Sequence, residues 1–438
     1  MRASSPIDQE QMPVAVPHVD RPRVASLLGN ISWTFGGNIV QLASQLGMLL
    51  ALTRFTDLAT VGRFAFASAV VTPIMLLAQM QLRNLQAVDV GRRFTFADYA
   101  AFRAISTGVA LAVLLLISFF HSIDVAAIIL AVAVSKAIDG MSDVFQGAMQ
   151  QREYFRQIGI STVLRGVLNG TASVFAIVYF NDLYAAAIAL VATGLLVTVA
   201  FDLPIWLRLS SEFDFIQASA LFSWRPISIC KIGITALPLG AATFLAAIEA
   251  NLPRYFLSIF TDEASLGIYS TIAAFSSLGS VLINAVGQSA APRLARLKHA
   301  GDLLHFRKLV SNLVFVGVAI GTTAIIGAIF FGNLALKFVF GRDESAQLPL
   351  LLTLLLASTF TYAHIFIGTA LSASNLHVTK SRIQLVTVCA SAVLLLLLTP
   401  QLGTTGAAAS MVGTAALTWF LYTMAVPQIT LSKLRTNQ

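Results

Sequence analysis

The sequence contains few of the residues on which soluble enzymes and secreted domains depend. Among 438 residues it has two cysteines, Cys230 and Cys389, and six histidines, and only 11% of its residues are charged. Two cysteines cannot build a disulfide framework or a cysteine-rich metal site, and no metal or cofactor is expected. The absence of a Gly-Lys-Ser/Thr phosphate loop argues against ATP hydrolysis by this chain. Soluble domains carry roughly 25% charged residues, so most of this chain is not expected to face water.

Long apolar runs take the place of charge. Hydrophobic residues make up 57% of the chain, and a helix needs about 20 of them in succession to span a bilayer. Twelve segments are long and apolar enough, so we predict an all-α polytopic membrane protein with twelve transmembrane helices. The predicted spans are 26–53, 60–82, 98–120, 123–149, 157–180, 182–207, 231–259, 264–290, 308–335, 346–372, 379–399 and 402–426.

The basic residues predict how these helices are oriented. If both termini are cytoplasmic, 21 of the 28 Lys and Arg residues fall on the cytoplasmic side, and four on the outer side: Arg54, Arg63, Lys337 and Arg342. Such an asymmetry follows the positive-inside rule. The prediction is a multi-pass protein of the cytoplasmic (inner) membrane with cytoplasmic N- and C-termini. The net charge of +8 is then a topology signal, and no nucleic-acid partner is expected.

A ten-residue phrase occurs twice and predicts a duplicated architecture. Residues 55–64 read FTDLATVGRF and residues 260–269 read FTDEASLGIY. The same offset pairs the start of the seventh predicted span with the start of the first, so each half has six spans. We therefore predict two pseudo-symmetric six-helix bundles around a central cavity, related by an axis along the membrane normal.

The domain boundaries follow from these spans. We predict an N-terminal lobe at 26–207 and a C-terminal lobe at 231–426, joined by a cytoplasmic linker at 208–230. Residues 1–25, which are polar and rich in proline, are predicted to be a disordered cytoplasmic segment. Residues 427–438 are predicted to be a short cytoplasmic tail.

The repeated phrase also makes a local prediction. Asp57 and Asp262 precede the second span of each lobe and are candidates to cap that helix. Gly62 and Gly267 follow at its start, where a missing side chain lets two helices approach closely. A direct role of the two aspartates with substrate is the less favoured alternative.

The fourth predicted span carries charge inside the membrane. Lys136, Asp139 and Asp143, followed by two glutamines, are spaced by three or four residues and share one helical face. Arg165 of the next span lies at a similar depth. One interpretation is a structural ion-pair network that holds the lobe together. The other is a hydrated cavity that binds an anionic substrate or a coupling ion, since charges at this depth are costly unless paired or wet.

Uncharged polar stripes occur on two further spans. Asn38 and Gln41 belong to a polar face of span one, and Asn284 belongs to a polar face of span eight. Such stripes can bind helices to one another. Together with span four, they also suit a water-filled central cavity in which sugar hydroxyls find donors and acceptors.

Span seven combines proline with charge. Pro238 and Pro253 are predicted to break or bend it, because proline removes a helical hydrogen bond. Glu249 and Arg254 lie in its outer half. The alternatives are a moving helix for alternating access and a static kink in which Glu249 pairs with Arg254. Arg254 and Arg54 are predicted to flank the mouth of the cavity from opposite lobes, where guanidinium groups favour phosphate.

Four segments carry a family resemblance. They are VGRFAFASAVVTPIMLLAQMQLRNLQAVD at 61–89, QGAMQQREYFRQIGISTVLRG at 146–166, ANLPRYFLSIFTDEASLGIYS at 250–270 and TPQLGTTGAAAS at 399–410. In this order and spacing, the chain resembles the Wzx-type flippases. These form the polysaccharide branch of the multidrug/oligosaccharidyl-lipid/polysaccharide (MOP) exporter superfamily.

The resemblance implies a flippase that moves undecaprenyl-diphosphate-linked oligosaccharide across the cytoplasmic membrane by alternating access. It implies no catalytic residue, a monomeric functional unit, contact with membrane lipid, and a polysaccharide polymerase and chain-length regulator as candidate partners. The candidate substrate-binding residues are Arg54, Lys136, Arg165, Arg254, Asn38, Gln41 and Asn284. The candidate ion-coupling residues are Asp139, Asp143 and Glu249.

Two alternatives stay open. A multidrug efflux antiporter of the same superfamily would share the architecture but would favour an acidic cavity that binds cations. A membrane-embedded glycan polymerase or transferase is disfavoured, because such enzymes need an extended outer loop and every outer loop predicted in this chain is short.

Overall fold

All regular secondary structure that the computed structural model describes is helical. The described residues are 27–89, 93–211, 225–374 and 376–435. Their helices are α1 (Leu27–Phe55), α2 (Leu58–Gln79), α3 (Leu82–Val88), α4 (Phe96–Ser118), α5 (Ile123–Gln151), α6 (Phe155–Phe180), α7 (Leu183–Val197), α8 (Leu203–Ser211), α9 (Pro226–Phe260), α10 (Glu263–Ser276), α11 (Gly279–Ala300), α12 (Leu303–Phe340), α13 (Leu348–Ala373) and α14 (His377–Arg435). The prediction of an all-α polytopic membrane protein is confirmed.

Eleven helices in the described part are long and apolar enough to cross a membrane. The last of them, Val378–Pro427, covers both of the final predicted spans. Within it Gly403 leaves the helical conformation at φ 56° and ψ −129°. A Cβ on Gly406 would lie 2.2 Å from the carbonyl oxygen of Leu398, a contact that a straight helix cannot make between these positions. The chain therefore doubles back, and α14 holds two spans.

Two predicted spans differ from expectation in whether their helix is interrupted. Span seven, predicted to be broken or bent at its prolines, is not broken: it is the 35-residue helix α9, with Pro238 and Pro253 inside it. Each proline removes one helical hydrogen bond, which helices packed in a membrane protein tolerate. Span eight, predicted to be continuous, is divided into α10 and α11. There the carbonyl of Ser276 accepts hydrogen bonds from the hydroxyls of Ser358 (3.2 Å) and Tyr362 (3.1 Å).

Helices extend into both the predicted linker and the predicted tail. The predicted linker 208–230 contributes its first residues to α8 and its last to α9, and residues 212–224 lie outside the described residues, as does the predicted N-terminal segment 1–25. The final helix continues to Arg435, beyond the predicted end of the last span at residue 426. Apolar spans extend into their polar flanks because helical hydrogen bonds also satisfy the flanking backbone.

The lobes cross where the repeated phrase lies. We call the end of the bundle at which α1 begins and α14 ends the terminal end, and the opposite end the distal end. At the distal end, a Cβ on Gly62 would lie 1.9 Å from the carbonyl oxygen of Glu263, and a Cβ on Gly267 would lie 2.2 Å from that of Leu58. Each glycine thus faces the first turn of the other helix, which confirms the predicted close approach and closes the distal end between α2 and α10.

Contacts of α1 and α2 with α9 and α10 form a seam between the N-terminal and C-terminal helices. The hydroxyls of Thr53 and Thr271 lie 3.3 Å apart, and the hydroxyl of Tyr255 donates to the carbonyl of Ala69 at 2.5 Å. Nearer the terminal end, Gly240 of α9 packs against Met80. The outlying helix α11 packs on α12 and α13.

The repeated aspartates cap α2 and α10 as predicted. Asp57 Oδ1 accepts from the backbone N–H of Thr60 at 3.1 Å, and Asp262 Oδ1 from that of Ser265 at 3.3 Å. Hydrogen bonds from Thr60 and Ser265 hold the pKa of each carboxyl below its usual range. The stabilisation is therefore present above the ordinary pKa of an aspartate and is lost as the pH falls through the folded pKa.

Asp57→Ala is expected to lower stability by about 1 kcal/mol, because the first turn of α2 loses its acceptor. Thermal unfolding of the purified protein measures the loss. Asp57→Asn is the matched control and should be nearly neutral, since asparagine caps as well as aspartate. Equal destabilisation by both substitutions would contradict the capping role.

Candidate functional site

A polar cleft of about 250 Å³ lies among α1, α2, α5 and α6, inside the membrane-spanning part of the N-terminal helices. We call it the N-lobe cleft. Its lining residues are Asn38, Gln41, Thr72, Met75, Leu76, Gln79, Arg83, Lys136, Asp139, Ser142, Asp143, Gln146, Thr162 and Arg165. Six of the ten predicted site residues line this cleft: Asn38, Gln41, Lys136, Arg165, Asp139 and Asp143.

Helix α5 supplies the charged wall of the cleft. Lys136, Asp139 and Asp143 are spaced by three and four residues, so their side chains share one face. Lys136 Nζ lies 3.6 Å from Asp139 Oδ2. Arg165 Nη1 of α6 lies 2.7 Å from Asp139 Oδ1. Asp139 is therefore held between two cations.

Arg165 is engaged on both sides. Its Nη2 lies 3.2 Å from Asp202 Oδ2 and donates to Thr198 Oγ1 at 3.0 Å. Ser142 Oγ also donates to Asp202, at 2.5 Å. Arg165 and Asp202 are buried, with 5% and 0% of their surface exposed. Buried charges need such partners, and because the guanidinium of Arg165 contacts two carboxylates and a hydroxyl, it has little capacity left for a ligand.

Asp202 was missed by the sequence reasoning, because it was placed at the end of the sixth span. The chain forms a π-helical turn at Thr198–Asp202 between α7 and α8. Such turns insert one residue into a helix and occur often at functional sites. This turn brings both Thr198 and Asp202 to Arg165. An aspartate inside an otherwise apolar run was the available signal.

Arg83 was also missed, because its position after span two indicated a cytoplasmic loop. It lies in the first turn of the short helix α3, and its Nη1 lies 3.6 Å from Asp143 Oδ1. Its Nε donates to Gln150 Oε1 at 3.0 Å. The side chains of Arg83 and Lys136 are 30% and 39% exposed. These two cations, in contrast to Arg165, can still reach a ligand in the cleft.

The other four predicted site residues lie elsewhere. Arg54 is exposed at the distal end, with its guanidinium carbon 4.8 Å from the centre of the Phe338 ring. Asn284 is exposed on α11 and donates to the backbone of its own helix. Neither lines the cleft: Arg54 lies against Phe338 of α12, and Asn284 lies on α11, which packs on α12 and α13.

Glu249 and Arg254 are not paired with each other. Arg254 Nη1 donates to Asn251 Oδ1 at 2.8 Å, and Glu249 Oε1 accepts from Thr387 of α14 at 3.1 Å. The alternative of a Glu249–Arg254 ion pair is therefore wrong, because each side chain has a nearer neutral partner. The predicted flanking of one mouth by Arg54 and Arg254 is also absent from the described contacts.

The side chains that line the cleft are hydrogen-bond donors and acceptors. Within the described residues no three His, Cys, Asp or Glu side chains are grouped to hold a metal ion. Arginine, lysine and amide side chains suit a phosphate and sugar hydroxyls.

Comparisons with known proteins agree with this architecture. A family model described as polysaccharide biosynthesis protein matches residues 27–298. The capsular polysaccharide biosynthesis protein CapF of Staphylococcus aureus is 24% identical over 385 residues, covering 87% of this chain and 94% of CapF. The family match covers more than half of the chain.

Solved structures share the fold at low identity. The lipid II flippase MurJ in an inward closed conformation superposes with a TM-score of 0.70 at 11% identity, over 91% of this chain and 87% of that chain. An inward-facing multidrug resistance MATE family transporter of the MOP superfamily gives a TM-score of 0.72 at 14% identity, over 92% and 99%. With the family match, these findings confirm the resemblance that the motifs predicted: the chain belongs to the polysaccharide biosynthesis protein family and has the membrane-transporter fold of the MOP superfamily.

Proposed function

We propose that the protein is a secondary transporter, a flippase, that moves a polyprenyl-diphosphate-linked oligosaccharide across the cytoplasmic membrane by alternating access. The undecaprenyl diphosphate carrier is the expected one. The observation that carries the proposal is a polar, partly cationic cleft enclosed by membrane-spanning helices. It has accessible cations in Arg83 and Lys136 and uncharged polar groups in Asn38, Gln41 and Gln79. Cations suit a diphosphate, and amides suit sugar hydroxyls.

The charge balance supports an anionic substrate. Four basic residues, Arg83, Arg103, Lys136 and Arg165, stand against three acidic residues, Asp139, Asp143 and Asp202. With all of them ionised, the cluster has one net positive charge. A cavity built for drug cations would favour the opposite sign, so the multidrug antiporter is the second candidate.

The crossing of α2 and α10 supports the alternating-access mechanism. Backbone contacts at Gly62 and Gly267 close the distal end, so substrate would load from the terminal end. With both termini in the cytoplasm, as the basic residues predict, this conformation would receive substrate from the cytoplasmic leaflet. Opening would require α2 and α10 to separate.

Ion coupling is proposed for the acidic groups. Asp139 and Asp143 line the N-lobe cleft, and Glu249 lies in the other lobe against Thr387. Titration or cation binding at either place would bias one lobe arrangement over the other. The functional unit is proposed to be one chain with no enzymatic activity. A polysaccharide polymerase and a chain-length regulator are its proposed partners.

Lys136→Gln is expected to lower the rate of flipping about ten-fold, because one charge-assisted contact to phosphate is lost. The measurement is translocation of a fluorescent short-chain polyprenyl-diphosphate sugar in liposomes containing the purified protein. Arg156→Gln is the matched control: it removes an exposed arginine that lies over Trp33 rather than in the cleft. Wild-type protein that leaves this lipid in place but exports ethidium would favour the multidrug alternative.

A further inference from the structure

Arg103 is a buried cation without a direct ion-pair partner among the described residues; Asp143, which lines the same cleft, acts on it only at longer range. It lies on α4 with 1% of its surface exposed and is among the largest fully buried side chains. Neither its Nε nor its Nη1 has a hydrogen-bond partner among the described residues. No ion pair to Arg103 occurs within 4.0 Å in the same part of the chain. Because an unpaired buried charge is strongly unfavourable, its donors call for an anion.

A second cleft of about 210 Å³ adjoins Arg103, and we call it the α4 subsite. It is lined by Leu76, Gln79, Gln81, Leu82, Arg83, Asn84, Arg103, Asp143 and Thr243. Thr243 belongs to α9, so the subsite lies where the two lobes meet. Its charged residues are Arg83 and Arg103 against Asp143, which leaves one positive charge in excess. That charge and the side-chain amides suit a phosphate oxygen.

The backbone around the subsite is specialised. A Cβ on Gly140 would lie 3.7 Å from Arg103 Cδ and 3.8 Å from Gln79 Nε2, so both groups gather around one glycine. Met80 and Gln81 have φ of 45° and 53°, a left-handed conformation that residues other than glycine seldom adopt. Gln79 precedes this turn and Arg83 follows it, and both line the same cleft. Backbone strain of this kind often accompanies a functional site.

The α4 subsite and the N-lobe cleft are adjacent. Four residues line both: Leu76, Gln79, Arg83 and Asp143. Arg83 is the shared cation, with Lys136 on one side of it and Arg103 on the other. A ligand with two linked phosphates could therefore contact both clefts through Arg83.

We propose that Arg103, together with Gln79 and Arg83, binds the second phosphate of a lipid diphosphate whose first phosphate occupies the N-lobe cleft. The inference rests on the proposed function and makes Arg103 the residue that distinguishes a diphosphate from a monophosphate. It also gives the buried guanidinium a directly bonded anion, which no carboxylate of the described residues supplies within 4.0 Å.

The test compares two soluble probes, geranyl diphosphate and geranyl monophosphate, by their affinity for the purified protein in detergent. Wild-type protein is expected to prefer the diphosphate, and Arg103→Gln should lower affinity for it about ten-fold while leaving monophosphate affinity unchanged. Arg103→Lys keeps the charge but loses the planar guanidinium, so its affinity for the diphosphate should lie between those of the wild type and Arg103→Gln. It replaces Arg103→Gln in the test if that variant does not fold. Arg156→Gln is the control and should bind both probes as the wild type does.

The outcomes separate the two proposals. If the wild type prefers the diphosphate and folded Arg103→Gln or Arg103→Lys keeps the full preference, the α4 subsite is refuted and the flippase proposal stands. Loss of affinity for both probes to the same degree would also refute the subsite, since Arg103 would then act on the first phosphate or on the fold. If the wild type shows no preference for the diphosphate, the proposed diphosphate substrate fails, and the subsite fails with it.

Discussion

Gly62→Leu is expected to abolish flipping while the protein remains folded in the membrane. A side chain at this position would begin 1.9 Å from the backbone oxygen of Glu263, and a backbone atom cannot rotate away as a side chain can. The clash would disappear only if α2 and α10 separate at the distal end. Inverting a 99:1 population needs about 5.5 kcal/mol, which a backbone clash can supply. The protein would be held open at the distal end and unable to complete a cycle.

Cross-linking measures this change. In a background without Cys230 and Cys389, Thr53→Cys and Thr271→Cys introduce thiols where two hydroxyls lie 3.3 Å apart. Adding Gly62→Leu should greatly reduce disulfide formation between them. Gly108→Leu is the matched control, because nothing lies within 4 Å of a Cβ at that position. Normal flipping and normal cross-linking in Gly62→Leu would show that the crossing does not need to close.

Arg165→Ala is expected to destabilise the protein by about 3–5 kcal/mol, because removing one member of a buried ion pair leaves the other uncompensated. Asp202 would lose its cation and keep neutral hydroxyl partners such as Ser142. Thermal unfolding and abundance in the membrane are the measurements. Asp202→Asn combined with Arg165→Ala should recover part of the loss, since contacting residues are not additive.

The outcome would also decide what Arg165 does. Normal abundance and stability in Arg165→Ala, accompanied by loss of flipping, would contradict the structural role and return Arg165 to substrate binding. Lys136→Ala is the comparison, because Lys136 is 39% exposed and contacts the same Asp139. It should affect stability far less, since ion pairs with solvent access contribute about 0–1 kcal/mol.

Local signals predicted the scaffold well. Asp57 and Asp262 precede an apolar helix by one residue, and capping needs nothing more distant than the next turn. Gly62 and Gly267 were informative because the repeat marked them as equivalent positions. In the structure, each packs against the first turn of the helix that carries the other. The spacing of Lys136, Asp139 and Asp143 likewise follows from helical geometry alone.

The partners of these charges could not be predicted in the same way. Asp202 reaches Arg165 because a π-helical turn rotates the end of the sixth span, and no periodicity announces an inserted residue. Arg83 and Arg103 counted as loop or flanking cations by their position along the chain, yet both line clefts. The depth of a side chain depends on how helices tilt and pack, which hydropathy does not report.

The sequence by itself determined that this chain spans a membrane, that its two halves repeat, and that charge lies inside its fourth and fifth spans. These properties depend on composition and on contacts within one or two helical turns. Only the tertiary structure decided which charges neutralise one another and which stay available. Arg165 is enclosed by two carboxylates, whereas Arg83, Lys136 and the buried Arg103 have donors to spare. That division depends on atoms from helices far apart in sequence meeting within a few ångströms, where burial makes each charge costly unless it is paired.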